Sequence, residues 1–231
     1  MMTAVADKSP VRPYGGVSAS QRVAARHERL LDAALELYGT RGFAATGVKD
    51  VCRQAGLTDR YFYESFRDSG ELFIAVFDRA TSDLLALVAQ KVSDVPAEPE
   101  VQVRAAIESF VRALADDARM ARVIFVESAA VGAEVDRHMR ASLRQFAALV
   151  AATARPHLPE MPERTLEIGA LALVGAIDRV IIEWQDGNLD VTIDEVIDHL
   201  VQLFLMAAAS VGVSRRPAWS RARSRAPTDS S

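Results

Sequence analysis

Apolar residues return every three or four positions along almost the whole stretch from Ala19 to Val213, with hardly any strict alternation. That periodicity admits helices and leaves little room for strands, so the chain reads as all-α with about nine helices. Leu30, Leu31, Ala34, Leu35 and Tyr38 form a first long stripe, closed by Gly42. Val48, Val51, Cys52 and Ala55 form a short second one behind Thr46, a fitting N-cap. Gly56 then supplies the left-handed residue that a helix C-terminus wants. A third short helix starts at Thr58, with Phe62 and Phe66 as its inward pair at i and i+4. The D-x-x-E signal from Asp68 to Glu71 opens a fourth helix, striped from Leu72 and Phe73 to Leu87 and Val88 and long enough to join two domains.

Prolines divide the remainder, with Pro96 and Pro99 in one linker and Pro156, Pro159 and Pro162 in another. Helices are expected over 101–116 and 119–154, the second broken near Gly132, then over 163–185 and 193–211, the last restarted by Thr192 and Glu195. The final two are apolar around more than one face and must be covered on more than one side. A homodimer packing these helices against their copies answers that excess, with Leu171, Val174, Ile181, Trp184, Val196, Leu200 and Phe204 as its candidate interface. The domain reading is a disordered arm over 1–20, a helix-turn-helix unit over 21–67, a larger helical domain over 68–213 that carries the dimer contact, and a disordered basic tail over 214–231.

Half of the 231 residues are apolar and a quarter charged, an ordinary globular composition. The lone Cys52 makes no internal disulfide and suits a reducing, cytoplasmic setting. No apolar run reaches the ~20 residues of a spanning helix, and the N-terminus has no signal-peptide core, so no membrane partner is expected. The net charge of −4 argues at first against a partner as acidic as DNA. Its distribution reverses that: the balance is +1 over residues 1–80, −9 over 81–214 and +4 over 215–231. The acid sits in the C-terminal half, and grip on a polyanion would come from placed groups and two subunits, with a shallow salt dependence.

A short helix, a turn at Gly56 and a second short helix make a helix-turn-helix, whose second helix enters the major groove. At ~100° per residue, the direction opposite Phe62 and Phe66 holds Arg60 and Glu64, flanked by Tyr61 and Tyr63. Arg60 suits a bidentate bond to guanine, Glu64 a cytosine amino group, and Tyr61 a thymine methyl or a phosphate. Arg60 and Glu64 equally suit an ion pair at i,i+4 on a solvated helix. Thr46 and Thr58 stand at helix starts, where a phosphate is well received, and Lys49 lies one turn from Arg53 on helix two.

The run from Arg26 to Ala80 resembles the N-terminal DNA-binding domain of the tetracycline-repressor (TetR) family of bacterial transcription regulators. The matching pieces are the first stripe, G-F-x-x-T-x-V at Gly42 to Val48, A-G-L-T at Ala55 to Thr58, Phe62-Tyr63-x-x-Phe66, and Glu71-Leu72. The resemblance implies phosphate contacts at Thr46, Tyr63 and Ser65 and base readout at Arg60 and Tyr61. It also implies a homodimer on a pseudo-palindromic operator, with a small-molecule effector bound in the C-terminal domain and repression relieved by it. Asp59 and Ser69 stand where lysines are common in the family. They keep open an alternative, a ligand-binding or interaction protein that has the fold without specific DNA binding.

Phe110, Met120, Phe125, Glu127 and Phe146 are the candidate effector-pocket residues, although ordinary core packing explains each as well. Glu127 lies in the apolar run ARVIFVESAAV, where a buried carboxylate needs a partner. Nothing points to an enzyme, a cofactor or a metal: Glu134 with His138 and Glu195 with His199 are isolated i,i+4 pairs, completing no ligand array.

Overall fold

The computed structural model describes residues 18–128 and 133–212. The arm before Ser18, the tail and the break near Gly132 therefore lie outside the described residues. Within them the chain is helical: α1 (Ala19–Arg41), α2 (Val48–Ala55), α3 (Asp59–Ser65), α4 (Ser69–Ser93), α5 (Pro99–Asp116), α6 (Ala118–Arg122), α7 (Ala133–Ala154), α8 (Glu163–Gln185) and α9 (Ile193–Gly212). A π-helical turn, Val123–Glu127, continues α6, and a 3-10 turn, Arg155–His157, follows α7.

Local chemistry sets the first boundaries. Ser18 caps α1 through a reciprocal pair: Gln21 N donates to Ser18 Oγ at 3.1 Å and Ser18 N donates to Gln21 Oε1 at 2.8 Å. The N-cap of α2 is Gly47, not Thr46, because Asp50 reaches back to accept from Gly47 N at 3.1 Å. Thr46 turns inward instead, its hydroxyl donating to Gly42 O at 2.8 Å. Gly56, at φ 62° and ψ 39°, ends α2 in the left-handed conformation that lets α3 follow after two residues. Asp68 caps α4 by accepting from Glu71 N at 2.9 Å, while the Glu71 carboxylate accepts from Arg67 N rather than from the cap residue.

One buried core runs from α1 to α9. Leu30, Ala34 and Leu37 of α1, Val51 and Cys52 of α2, Phe62 and Phe66 around α3, and Leu72, Phe73 and Val76 of α4 close the N-terminal unit. At its centre the rings of Tyr38, Phe43 and Phe73 meet with centroids 5.3–5.6 Å apart. In the C-terminal half, α4 packs on α5, α7 on α8, and α9 on α5. The α5–α9 seam is edged by Arg104–Asp198 at 2.9 Å and Arg112–Asp194 at 2.8 Å.

That seam corrects the expected interface. Val196, Leu200 and Phe204 of α9, with Val174 and Ile181 of α8, are buried inside the chain, so they are core rather than surface. Trp184 is half-buried and donates from Nε1 to Val191 O at 3.1 Å. Of the seven candidates only Leu171 is exposed. Ile168 of α8 and Leu203 and Met206 of α9 are exposed as well.

Tyr38 is fully buried, its hydroxyl finds no partner among the described residues, and burial pushes its titration above the usual tyrosine range. Tyr38→Phe removes that orphan while keeping the ring. It is predicted to raise the unfolding free energy by about 1 kcal/mol, measured by urea denaturation; a loss of similar size would mean that the hydroxyl is bonded.

Candidate functional site

The helix-turn-helix is held from behind by α1. Arg29 donates from Nη2 to the carbonyls of Ala55 and, at 3.2 Å, Gly56, placing a cation on the C-terminal end of α2 where unpaired carbonyls gather. Sequence reasoning missed this clamp, although the spacing of Arg22, Arg26 and Arg29 puts them on one face of α1. Cys52 is buried behind the same turn, and burial together with the Asp59 carboxylate pushes its thiol up, keeping it protonated and unreactive.

On the outer side, Arg60 is 84% exposed at its side chain and Tyr63 is 62% exposed. Tyr63 rests its ring edge-on against Phe62, centroids 5.2 Å apart. Arg60 Nε donates to Glu64 Oε1 at 3.0 Å, so the i,i+4 pair exists in the free protein. Arg26 approaches the other Glu64 oxygen at 3.9 Å and lies over the Tyr61 ring, 4.4 Å from its centroid. One carboxylate is thereby shared between two guanidiniums, and Tyr61 is covered by Arg26 rather than open. Lys49 and Thr58 are exposed; Thr58 caps α3 by position without a side-chain bond. Ser65 is half-buried, with its hydroxyl 3.3 Å from Tyr61 O. Thr46 is buried, its hydroxyl proton committed to Gly42 O. Lys49, Thr58, Arg60 and Tyr63 are thus exposed, whereas Thr46 is buried.

The C-terminal half encloses a cavity of about 670 Å³ between α4, α5, α7, α8 and α9 and the π turn. Phe110, Phe125 and Phe146 line it, the first and last in edge contact at 5.5 Å. Met120 and Glu127 do not line it, which corrects two of the five pocket candidates. Met120 lies on α6, which packs against α1, and Glu127 faces the N-terminal unit, where it finds the partner a buried carboxylate requires. Among the described residues, two that line it are ionisable. His157 shares a hydrogen bond with Gln102 Oε1 at 3.1 Å, and Asp178 is raised above the usual carboxylate range by burial. The isolated acid–histidine pairs are otherwise engaged: His138 bonds Asp78 at 2.9 Å and His199 bonds the Glu195 carbonyl at 2.6 Å. Among the described residues no cluster has the makings of a metal site and no helix is long and apolar enough to cross a membrane.

The described residues thus form a three-helix helix-turn-helix unit joined by the long α4 to a helical half that holds an apolar cavity. Residues 30–76 match the family of bacterial regulatory proteins named for tetR, and the N-terminal unit belongs to that family. HTH-type transcriptional activator FasR of Mycolicibacterium smegmatis is 31% identical over 116 residues, covering 49% of this chain and 52% of FasR. The similarity thus spans about half the length of that curated relative. The fold extends further. Bacillus subtilis FadR in complex with stearoyl-CoA superposes with a TM-score of 0.65 at 15% identity, over 77% of this chain and 96% of FadR. A putative transcriptional regulator of Pseudomonas aeruginosa superposes at 0.69 and 16% identity, over 88% and 98%.

Removing the Arg29 clamp tests how the recognition helix is held. Arg29→Ala leaves the last carbonyls of α2 without their charged donor and is predicted to lower the unfolding free energy by about 1–2 kcal/mol, with faster amide exchange over 55–58. Unchanged stability and exchange would show that the turn stands without it.

Proposed function

We propose that the chain is a transcription regulator that binds double-stranded DNA as a homodimer and is switched by an apolar small molecule. The observation that carries this is a helix-turn-helix, fixed by Arg29, whose outer side displays Lys49, Thr58, Arg60 and Tyr63 and whose core is continuous with the wall of a large apolar cavity. In this reading Arg60 reads base edges while Lys49, Thr58 and Tyr63 bear on phosphates. Tyr61 reaches DNA only as Arg26 and Glu64 rearrange, while the half-buried Ser65 and the buried Thr46 support that surface from within. Such work belongs in the cytoplasm.

The expected dimer face moves from the buried stripe to the outer one. Ile168 and Met206 are each 61% exposed and Leu171 is 47% exposed, apolar side chains on α8 and α9 that water does not favour and that we assign to the contact with a second copy. Two recognition helices then face half-sites about one turn, ~34 Å, apart in an inverted repeat.

The cavity favours a long, apolar effector. Its wall on α4 runs from Phe77 to Val92, about 22 Å of helix at ~1.5 Å per residue. Among the described residues that line it none is a lysine or arginine, so we place an anionic head group at its mouth and a hydrocarbon tail inside. The stearoyl-CoA held by FadR has that form, and a long-chain acyl compound is the effector class we assign. Such a ligand releases DNA only by binding the non-DNA geometry more tightly. We read the regulator as a repressor, whereas FasR is by name an activator.

Gel retardation at low salt, with the DNA flanking the gene, tests the reading: the parent is retained and Arg60→Ala with Tyr63→Ala loses at least tenfold in affinity. No retention by the parent, or equal retention by the variant, leaves a carrier that has kept the fold. Sedimentation tests the dimer: Leu171→Asp with Met206→Asp is predicted to give a folded monomer, and an unchanged dimer would put the interface elsewhere.

A further inference from the structure

Two groups tie the cavity wall to the DNA-binding unit. The π turn has two working sides: Ile124 and Phe125, with Ser128 just beyond, line the cavity, while Glu127 points away from it and is buried. Phe43 N donates to Glu127 Oε2 at 2.7 Å, across 84 residues of sequence. The other carboxylate oxygen accepts from Arg122 at 2.9 Å, and Arg122 Nη1 donates to Thr40 O at 3.3 Å. Between these two attachment points lies Gly42 at φ 93°, where a Cβ would stand 3.1 Å from Glu127 Oε1 and 3.2 Å from Arg122 Nη2. The backbone there is both in a glycine-favouring conformation and close under the ion pair. One turn earlier, a Cβ on Gly39 would fall 2.4 Å from the Cβ of Arg119, so α1 and α6 meet with no room for a methyl group.

The segment held in this way is where helix two is positioned. Thr46 N donates to Phe43 O at 3.1 Å, the Thr46 hydroxyl donates to Gly42 O, and Gly47 follows as the cap of α2. The π turn is therefore joined to the segment before α2 by the short Glu127–Phe43 hydrogen bond and, through Arg122, by the bond to Thr40 O.

We propose that Glu127, steadied by Arg122, is a positioning residue that couples occupancy of the cavity to the geometry of the helix-turn-helix through the Phe43 amide. A ligand that pushes on Phe125 or Ile124 rotates the turn that carries Glu127 and loosens residues 42–47. This rests on the reading of the cavity as an effector site. Coupling of this kind is reciprocal: a protein that has lost it binds ligand without regard to DNA.

The test compares the full chain with Glu127→Ala and Glu127→Gln by amide exchange over residues 42–47, with titration calorimetry for binding and thermal melting for fold. Stearoyl-CoA, stearic acid and octadecanol serve as probes. Arg122 is partly exposed and turns to water when its partner is removed, so the alanine variant is expected to fold. In wild type, a probe that binds should speed exchange at Phe43 about tenfold. In the alanine variant exchange should already be fast without probe and unresponsive to it, with probe affinity unchanged or higher. The glutamine variant, which keeps an oxygen for the Phe43 amide, should restore slow exchange. A bound probe that leaves wild-type exchange unchanged overturns the proposal, as does an alanine variant that responds like wild type. If none of the probes binds, the long-chain reading of the cavity fails, and the ligand-free comparison decides: equal exchange at Phe43 in wild type and the alanine variant overturns the proposal, and faster exchange in the variant supports the clamp.

Discussion

Tyr38, Phe43 and Phe73 meet ring to ring where α1, the turn after it and α4 converge, and the rest of the molecule is arranged around that contact. Tightly packed aromatic rings resist small continuous displacements, so α4 cannot tilt without carrying Phe43 or breaking the cluster. The same α4 supplies Phe77, Thr81, Leu84 and Val88 to the cavity wall. The cavity wall is thus joined to the helix-turn-helix in two ways, along α4 through the rings and through the π turn to the Phe43 amide. Both converge on the residues just before α2.

Electrostatics set a second constraint. The net charge is −4, yet the N-terminal 80 residues balance at +1. Within that unit the exposed cations are largely paired: Arg53 with Asp50, Arg60 with Glu64, and Arg67 beside Asp68 and Glu71. Approaching phosphates must compete with these carboxylates, which favours recognition by geometry over attraction by bulk charge. Glu64 is the pivot of this arrangement, since it restrains Arg60 and Arg26 at once while Arg26 covers Tyr61.

Much of the fold was legible because its signals are local. The stripes of α1 to α4, the left-handed turn at Gly56 and the caps at Asp68 and Thr192 each lie within a few residues, and the structure has them where expected. The cap of α2 was misplaced by one residue because Asp50, not Thr46, supplies the returning oxygen. The burial of Val196, Leu200 and Phe204 against α5 was not legible, because periodicity marks an apolar face without saying which element covers it. Glu127 was recognised as a buried carboxylate in need of a partner, but the partner is a backbone amide far away in sequence, so its orientation away from the cavity had no sequence signature.

The central claim is that this helix-turn-helix reads a defined DNA sequence as one half of a symmetric pair. Enrichment of duplexes from a random pool by the purified full chain, followed by sequencing, tests it most directly. The account predicts recovery of an inverted repeat, with the information concentrated in two half-sites about one helical turn apart. Recovery of a pool no different from the input, or of a single unpaired half-site bound by a monomer, would contradict it.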